Sequence, residues 1–416
     1  MAVLVVLVVS VFMLLQISAI QTWIAAKASQ LIWEKAHVDV RVGRVGISRF
    51  SKAALEDVYI ADLNGDTLIY AAEVNVSLLG ISLDENAYRL RNAALRRAYV
   101  NLNVDTMVNI SALIKTIFPP DTTVGKPFEF SIGRVELRDT RFRFGRSNPK
   151  AVERGVNYDD MRVNHINLDA DDLIVKRDTV KLGIRSLSFV EQSGFVVDNL
   201  QADFSICSSQ MRFGNLRIVH GYNDLSLGEF AMNYESYEAM SDFLNNVELY
   251  GDFHQSRVNL AYIGYFAPVL LDFDVPLTID GLVRGPVSDL HGRNLRISYG
   301  DKTLVSTNIS MTGLPDIDQT LFNARFKELS TTLTDIAQLR RANGEALIKV
   351  PTLLHSLGSL RYKGDYIGYL RDFVAYGTLS SGIGSFMLDA SIQPDRGGAI
   401  VIKVGSMRMR LISERW

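Results

Sequence analysis

Leu68-Ile69-Tyr70-Ala71-Ala72-Glu73-Val74-Asn75-Val76-Ser77-Leu78 alternates almost without interruption. Leu68, Tyr70, Ala72, Val74, Val76 and Leu78 fall on one side of a pleat, with Ile69, Ala71, Glu73, Asn75 and Ser77 on the other. Successive strand side chains point to opposite faces, so this spacing predicts a half-buried strand with one apolar and one largely wet face. The same period extends outward in both directions. Val38, Val40 and Val42 alternate with Asp39 and Arg41, and Val58 and Ile60 with Asp57 and Tyr59. Downstream, Val100, Leu102 and Val104 alternate with Asn101 and Asn103, Phe142 and Phe144 with Arg141 and Arg143, and Leu200, Ala202, Phe204 and Ile206 with Gln201, Asp203 and Ser205. Val258 and Leu260, Leu277 and Ile279, Leu295, Ile297 and Tyr299, and Val305 to Met311 continue it. Only three internal windows have a helical period, 106–117 before Pro119 and Pro120, 236–244, and 331–341 before Asn343 and Gly344. So few helices leave no crossovers for a βαβ fold, and the expectation is a mainly β, antiparallel protein.

The first 26 residues carry no charged side chain. Val3, Leu7, Val11 and Leu14 mark an apolar run that, as a helix rising ~1.5 Å per residue, would reach roughly 35–40 Å and cross a hydrocarbon core of about 30 Å. Trp23 suits the headgroup layer that follows. A cleaved secretory signal is the other reading, because Ala25 and Ala26 are small, but the run is longer than an ordinary signal core. Lys27, Lys35 and Arg41 follow the span and nothing basic precedes it, which opposes the positive-inside bias unless a short basic leader lies upstream of Met1. Either reading sends the rest of the chain across a membrane.

Composition limits the remainder. The 416 residues are 47% hydrophobic and 22% charged, a folded composition with room for two or three domains. A formal charge of −2 gives no electrostatic basis for nucleic-acid binding. Cys207 is the only cysteine, so no internal disulfide can form. No linker composition divides the chain, and the weak punctuation gives an anchor over 1–36, a first β segment over 37–118 and a continuing β segment over 119–416.

Catalytic signals are sparse. Asp62, Asn64 and Asp66 resemble the start of a calcium loop, but the EF-hand glycine spacing is absent, and Asn64-Gly65 between alternating runs reads as a hairpin turn. The six histidines stand singly, and no metal spacing, nucleophile elbow, P-loop or dinucleotide fingerprint occurs. Asp169, Asp171 and Asp172 read as a solvated turn. The expectation is a protein without catalytic residues, metal or cofactor. Alternation by itself leaves a groove and a closed sandwich both open.

Gln21 to Leu31, Val40-Arg-Val-Gly-Arg-Val-Gly-Ile47, Leu55-Glu-Asp-Val-Tyr-Ile-Ala-Asp62 and Gly65-Asp-Thr-Leu-Ile-Tyr-Ala71 resemble the N-terminal part of TamB-like proteins of the AsmA-like superfamily, in the form found in Bacteroidetes. Glu191-Gln-Ser-Gly-Phe195, Tyr265-Phe-Ala-Pro268 and Gly313-Leu-Pro-Asp-Ile317 are similar to the same group. The resemblance implies a single-pass inner-membrane signal anchor and, in the periplasm, a long curled antiparallel sheet forming an open groove. It implies phospholipid transfer between the inner and outer membranes, with acyl chains as the partners. The alternative is assembly of outer-membrane proteins through exposed strand edges. On this reading the lining is Val58, Ile60, Leu68, Tyr70, Val74, Val76, Leu78, Val100, Leu102, Val104, Phe142, Phe144, Leu200, Phe204 and Ile206. Family members run far longer, and the pattern here decays after Gly397, as in a truncated or frameshifted product. The family's contact with an outer-membrane barrel of the TamA or BamA kind would belong to that missing part.

Overall fold

A computed structural model describes residues 39–48, 52–62, 64–82, 87–105, 108–111, 129–351, 357–394, 400–404 and 409–410. The expected anchor, with Val3, Leu7, Val11, Leu14 and Trp23, lies outside them. Among the described residues no helix is long and apolar enough to cross a membrane. The chain is mainly β and separates into two compact units, one running to Ser208 with 218–220 and the other comprising 209–217 and 221–416.

The first unit contains β1 (Val40–Ser48), β2 (Lys52–Ala61), β3 (Thr67–Ser82), β4 (Ala87–Val104), β5 (Glu129–Arg146), β6 (Asp160–Lys176), β7 (Thr179–Glu191) and β8 (Val196–Ile206). Each strand pairs with the next, and β8 does not return to β1, so this is an open sheet. One pair departs from the expected antiparallel order: β4 and β5 run parallel, from Ala87 opposite Glu129 to Val104 opposite Arg146. A two-residue period is common to both orientations, so alternation cannot report direction; the crossover is 105–128, where the 106–117 helix was expected. Of that window 108–111 alone is described.

The quoted stretch folds differently from a simple pleat. Ile69 and Ala71, expected on the wet face, are fully buried, as are Val74 and Val76 further along. The buried set therefore changes parity between Ala71 and Val74. The same change crosses the neighbouring strands, between Leu55 and Val58 in β2 and between Leu95 and Ala98 in β4. At this level Asp57 and Arg97 take left-handed backbone conformations, with φ of 51° and 46°, and Asp139 on β5 does the same at 50°. A left-handed residue inserted in a strand shifts the pleat by one and bends it. Tyr70 is thereby moved to the wet side, where its hydroxyl donates to Asp57 Oδ1 at 2.9 Å.

Asn64-Gly65 is a turn between β2 and β3, as expected. Only Gly65 has positive φ, at 85°. The Asp62 carboxylate closes the loop, with Oδ1 accepting the Asn64 and Asp66 amides at 2.9 and 3.0 Å and Oδ2 accepting Asn109 Nδ2 at 3.1 Å. Asp169, Asp171 and Asp172 lie within β6, not in a turn. Asp169 is clamped by Arg138 Nη2 at 3.0 and 2.9 Å, and Asp171 pairs with Arg185.

The second unit takes most of β9 (Gln210–His220), then β10 (Asn223–Asn233), β11 (Glu248–Asn259), β13 (Pro276–Gly285), β14 (Asp289–Tyr299), β15 (Thr303–Thr312), β16 (Leu321–Thr332), β18 (Ser359–Gly368), β19 (Phe373–Ser381) and β20 (Gly384–Pro394). Pairing is antiparallel throughout from β10 to β20, and β21 (Ile400–Val404) and β22 (Met409–Arg410) both pair with β20. A two-stranded ribbon joins β12 (Phe273–Asp274) to β17 (Arg340–Arg341). The 236–244 window is a 3₁₀ turn over Tyr237–Asp242 and one helical turn over Phe243–Asn246. The 331–341 window shortens to Leu333–Gln338, capped by Thr332 Oγ1 accepting the Asp335 amide at 3.2 Å.

Candidate functional site

The residues expected to line a groove do not share one environment. Val58, Ile60, Leu68, Val74 and Val76 are buried in a single cluster with Phe130, Ile132 and Leu173, and Leu78, Val100, Leu102 and Phe204 pack against it. The crossover adds Ile110 and Val108 to the same cluster. Phe142 continues the row from Val100 to Val163, and Phe144 that from Leu102 to Met161, both half-buried. Leu200 is buried opposite Leu187, and Ile206 stands half-buried opposite Val180, as does Val104 beside Arg146. Tyr70 points away from the cluster. Most of this face is thus covered by its own side chains, with the largest, Phe130, 0% exposed.

The second unit presents a different apolar face. Register places Ile279, Ile297, Val305, Leu329, Tyr362, Leu379 and Phe386 directly beside one another across seven strands, β13 to β20. A neighbouring row runs Leu295, Thr307, Phe326, Gly364, Gly377 and Leu388, and the next runs Val283, Gly292, Ile309, Ala324, Tyr366, Ala375 and Ala390. Met311, Phe322 and Phe373 extend it further. Of the large side chains in these rows, Leu295 alone is fully buried, at 6% exposure; the others are all partly open.

The local sequence explains the shape of this strip. Gly364 and Gly377 face each other, and a Cβ on Gly364 would lie 2.6 Å from the Gly377 Cα, so neither position admits a side chain. Aromatic rings flank the gap. Phe326 and Tyr362 meet edge to face at 5.8 Å, and Tyr366 and Phe373 pack at 4.7 Å. Burial pushes both tyrosine hydroxyls above their ordinary pKa, so they stay neutral. Tyr362 Oη donates to the Asp365 carbonyl at 2.8 Å and Tyr366 Oη to the Tyr369 carbonyl at 2.9 Å, and both residues stay partly exposed.

No family model, curated protein or solved structure matches the chain. The site must therefore be read from its own chemistry. Among the described residues no group of three or more His, Cys, Asp or Glu side chains is placed to hold a metal ion. Among the described residues Glu191 is the one buried glutamate, at 3% exposure; its Oε2 accepts the Ser193 amide at 2.8 Å and the Ser193 hydroxyl at 2.5 Å, so it closes the turn after β7. Asp335, at 2% exposure, accepts the Lys302 amide at 3.0 Å and the Thr303 hydroxyl at 2.7 Å, holding the β14–β15 hairpin. Both carboxylates organise backbone and stand apart from the apolar rows. The strip can bind extended apolar molecules by burial alone.

The sequence reading missed this site as a lining. Ile279, Ile297 and Val305 were legible as strand residues, but Phe326, Tyr362, Tyr366, Leu379 and Phe386 carried no expectation. The Leu-Arg-Tyr-Lys-Gly-Asp-Tyr run at 360–366 has the required alternation and could have signalled them.

Proposed function

We propose that the protein carries lipid acyl chains along the apolar rows of the second unit, as an anchored periplasmic conductor of phospholipids between inner and outer membranes. The supporting observation is the partial exposure of a long row of large side chains, Ile279 to Phe386, on one face of the sheet. A packed sandwich interior would bury its central large side chains, as the first unit does. Each methylene moved from water onto such a surface contributes up to ~0.8 kcal/mol, so an acyl chain that followed the row would be held without any polar contact. The inner-membrane anchor and the outer-membrane destination come from the TamB resemblance and belong to this proposal.

The test is site-specific photo-crosslinking of the full chain in membranes. A probe at Leu329 or Leu379 should capture phospholipid, identified by mass spectrometry, whereas one at Lys363 or Thr378 on the opposite face should not. Equal capture on both faces, or none on either, would end the lipid reading. Capture of unfolded polypeptide instead of lipid would favour the outer-membrane assembly role.

A further inference from the structure

The polar face of the same unit gathers two arginines at one depression. Most arginines elsewhere on the wet surfaces have carboxylate partners, as in Arg143 with Asp160 at 2.9 Å and Arg217 with Asp224 at 2.9 Å. Arg284 on β13 and Arg293 on β14 have none among the described residues, yet both line one depression of about 480 Å³. The register explains their meeting. Arg284 stands opposite His291, which stands opposite Ser310 and then Asn323, so a guanidinium opens a cross-strand row of neutral polar groups. Arg293 lies two residues along from His291, next to Asn294, whose left-handed φ of 49° bends β14 at this point.

The remaining lining adds charge and donors. Arg325 enters from β16 but is paired with Asp365 at 2.9 Å. Among the lining residues three guanidiniums thus face one carboxylate, an excess of two positive charges before His291 and its Asp289 partner at 3.2 Å are counted. Asn308 Oδ1 accepts the Asn294 amide at 2.7 Å, which leaves the Asn308 Nδ2 donors free for another acceptor. No acidic group other than Asp365 lines the depression.

We infer that this depression is a binding site for a phosphate group, with Arg284 and Arg293 as the forked ligands and the Asn308 amide as a neutral donor. Planar guanidinium forks match two phosphate oxygens at once, and two of them without internal partners have only solvent to displace. The site lies on the face opposite the apolar rows, so it is independent of acyl-chain binding. The phosphate belongs either to a free phosphate ester or to an anionic lipid headgroup, and the two sources are separable.

The experiment uses the full chain in a neutral detergent. Inorganic pyrophosphate and glycerol phosphate are titrated against thermal unfolding, with sodium chloride at matched ionic strength as control, and flotation is measured with phosphatidylglycerol and phosphatidylcholine vesicles. Phosphate compounds should raise the melting temperature beyond chloride. Arg284→Gln with Arg293→Gln should weaken that binding at least tenfold while leaving the melting temperature without phosphate unchanged. Preference for phosphatidylglycerol vesicles that the double variant loses assigns the headgroup; protection by the soluble esters without vesicle preference assigns the free ester. If the double variant does not fold, Asn323→Asp, which sets a carboxylate in the same row, should produce the same loss. Stabilisation equal to that of chloride, or unaffected by these variants, would overturn the site.

Discussion

The two units are written in the same alternating pattern but end differently. The first has strands of up to 18 residues, a row of left-handed bulges, and large side chains such as Phe130, Ile132 and Leu173 at 0% exposure. The second has main strands of 9 to 12 residues and left-handed residues of its own at Gln255 and Asn294, and its row from Ile279 to Phe386 keeps part of each large side chain open. Alternation in a sequence identifies an apolar face, and whether anything covers that face is decided by elements far away in the chain. In the first unit the crossover residues Val108 and Ile110 help to cover it.

One charge placed on each apolar face separates the two units most strongly. Val74→Arg or Val76→Arg would trap a guanidinium in the packed cluster and should cost at least about 4–5 kcal/mol, which leaves little folded protein. Leu329→Arg should cost only about 1–2 kcal/mol, because a partly open side chain can turn its guanidinium to water. Urea titration of the full-length variants, followed by circular dichroism, measures both. Equal loss at Leu329 would mean that the second face is a closed core too.

A smaller effect is expected at Asp335 in the second unit. Burial of Asp335 by itself raises its pKa, but the Thr303 hydroxyl and the amides of residues 301–303 outweigh it and hold the carboxyl below its ordinary value. A carboxyl with a depressed folded pKa stabilises the fold fully above its unfolded value of about 3.9, and that part is lost as pH falls through the lower folded value. Asp335→Asn should cost about 1–3 kcal/mol at neutral pH and should flatten the acid limb of stability below pH ~4. A variant with unchanged acid sensitivity would show that other carboxyls carry it.

The smallest effect tests the first unit's entry turn. Gly65, at φ 85°, has open space around its Cα, so Gly65→Val meets left-handed strain without a clash and should cost about 1–2 kcal/mol. Calcium should not change the melting temperature of either form, because Asp62 oxygens are already taken by amide donors. Calcium protection that disappears in Asp62→Ala would overturn the turn.

Much of this fold was legible in advance. Most strands between Val40 and Met311 lie where two-residue alternation placed them, because that alternation is a local property of extended backbone; Leu260, expected to continue the Val258 strand, instead opens a helical turn over Leu260–Ile263. The candidate site was less legible. Val74 and Phe326 carry the same local signal, an apolar residue between polar neighbours, yet one is fully buried and the other partly open.

Periodicity in the chain fixed the mainly β class and the places of most strands, and Asn64-Gly65 fixed one turn, since these follow from local alternation and from the few residues that accept special backbone angles. Tertiary structure decided three further things. The parallel pairing of β4 and β5 depends on where a crossover returns, which no local period records. The faces of Tyr70 and Ile69 depend on bulges that run in register through neighbouring strands, because a shift in one strand must be matched by the next to keep the ladder paired. The meeting of Arg284 and Arg293 beside Asn308 depends on the register of the consecutive strands β13, β14 and β15, whose shifts at Asp280/Leu282 and Gly292/Leu295 set which residues fall opposite one another.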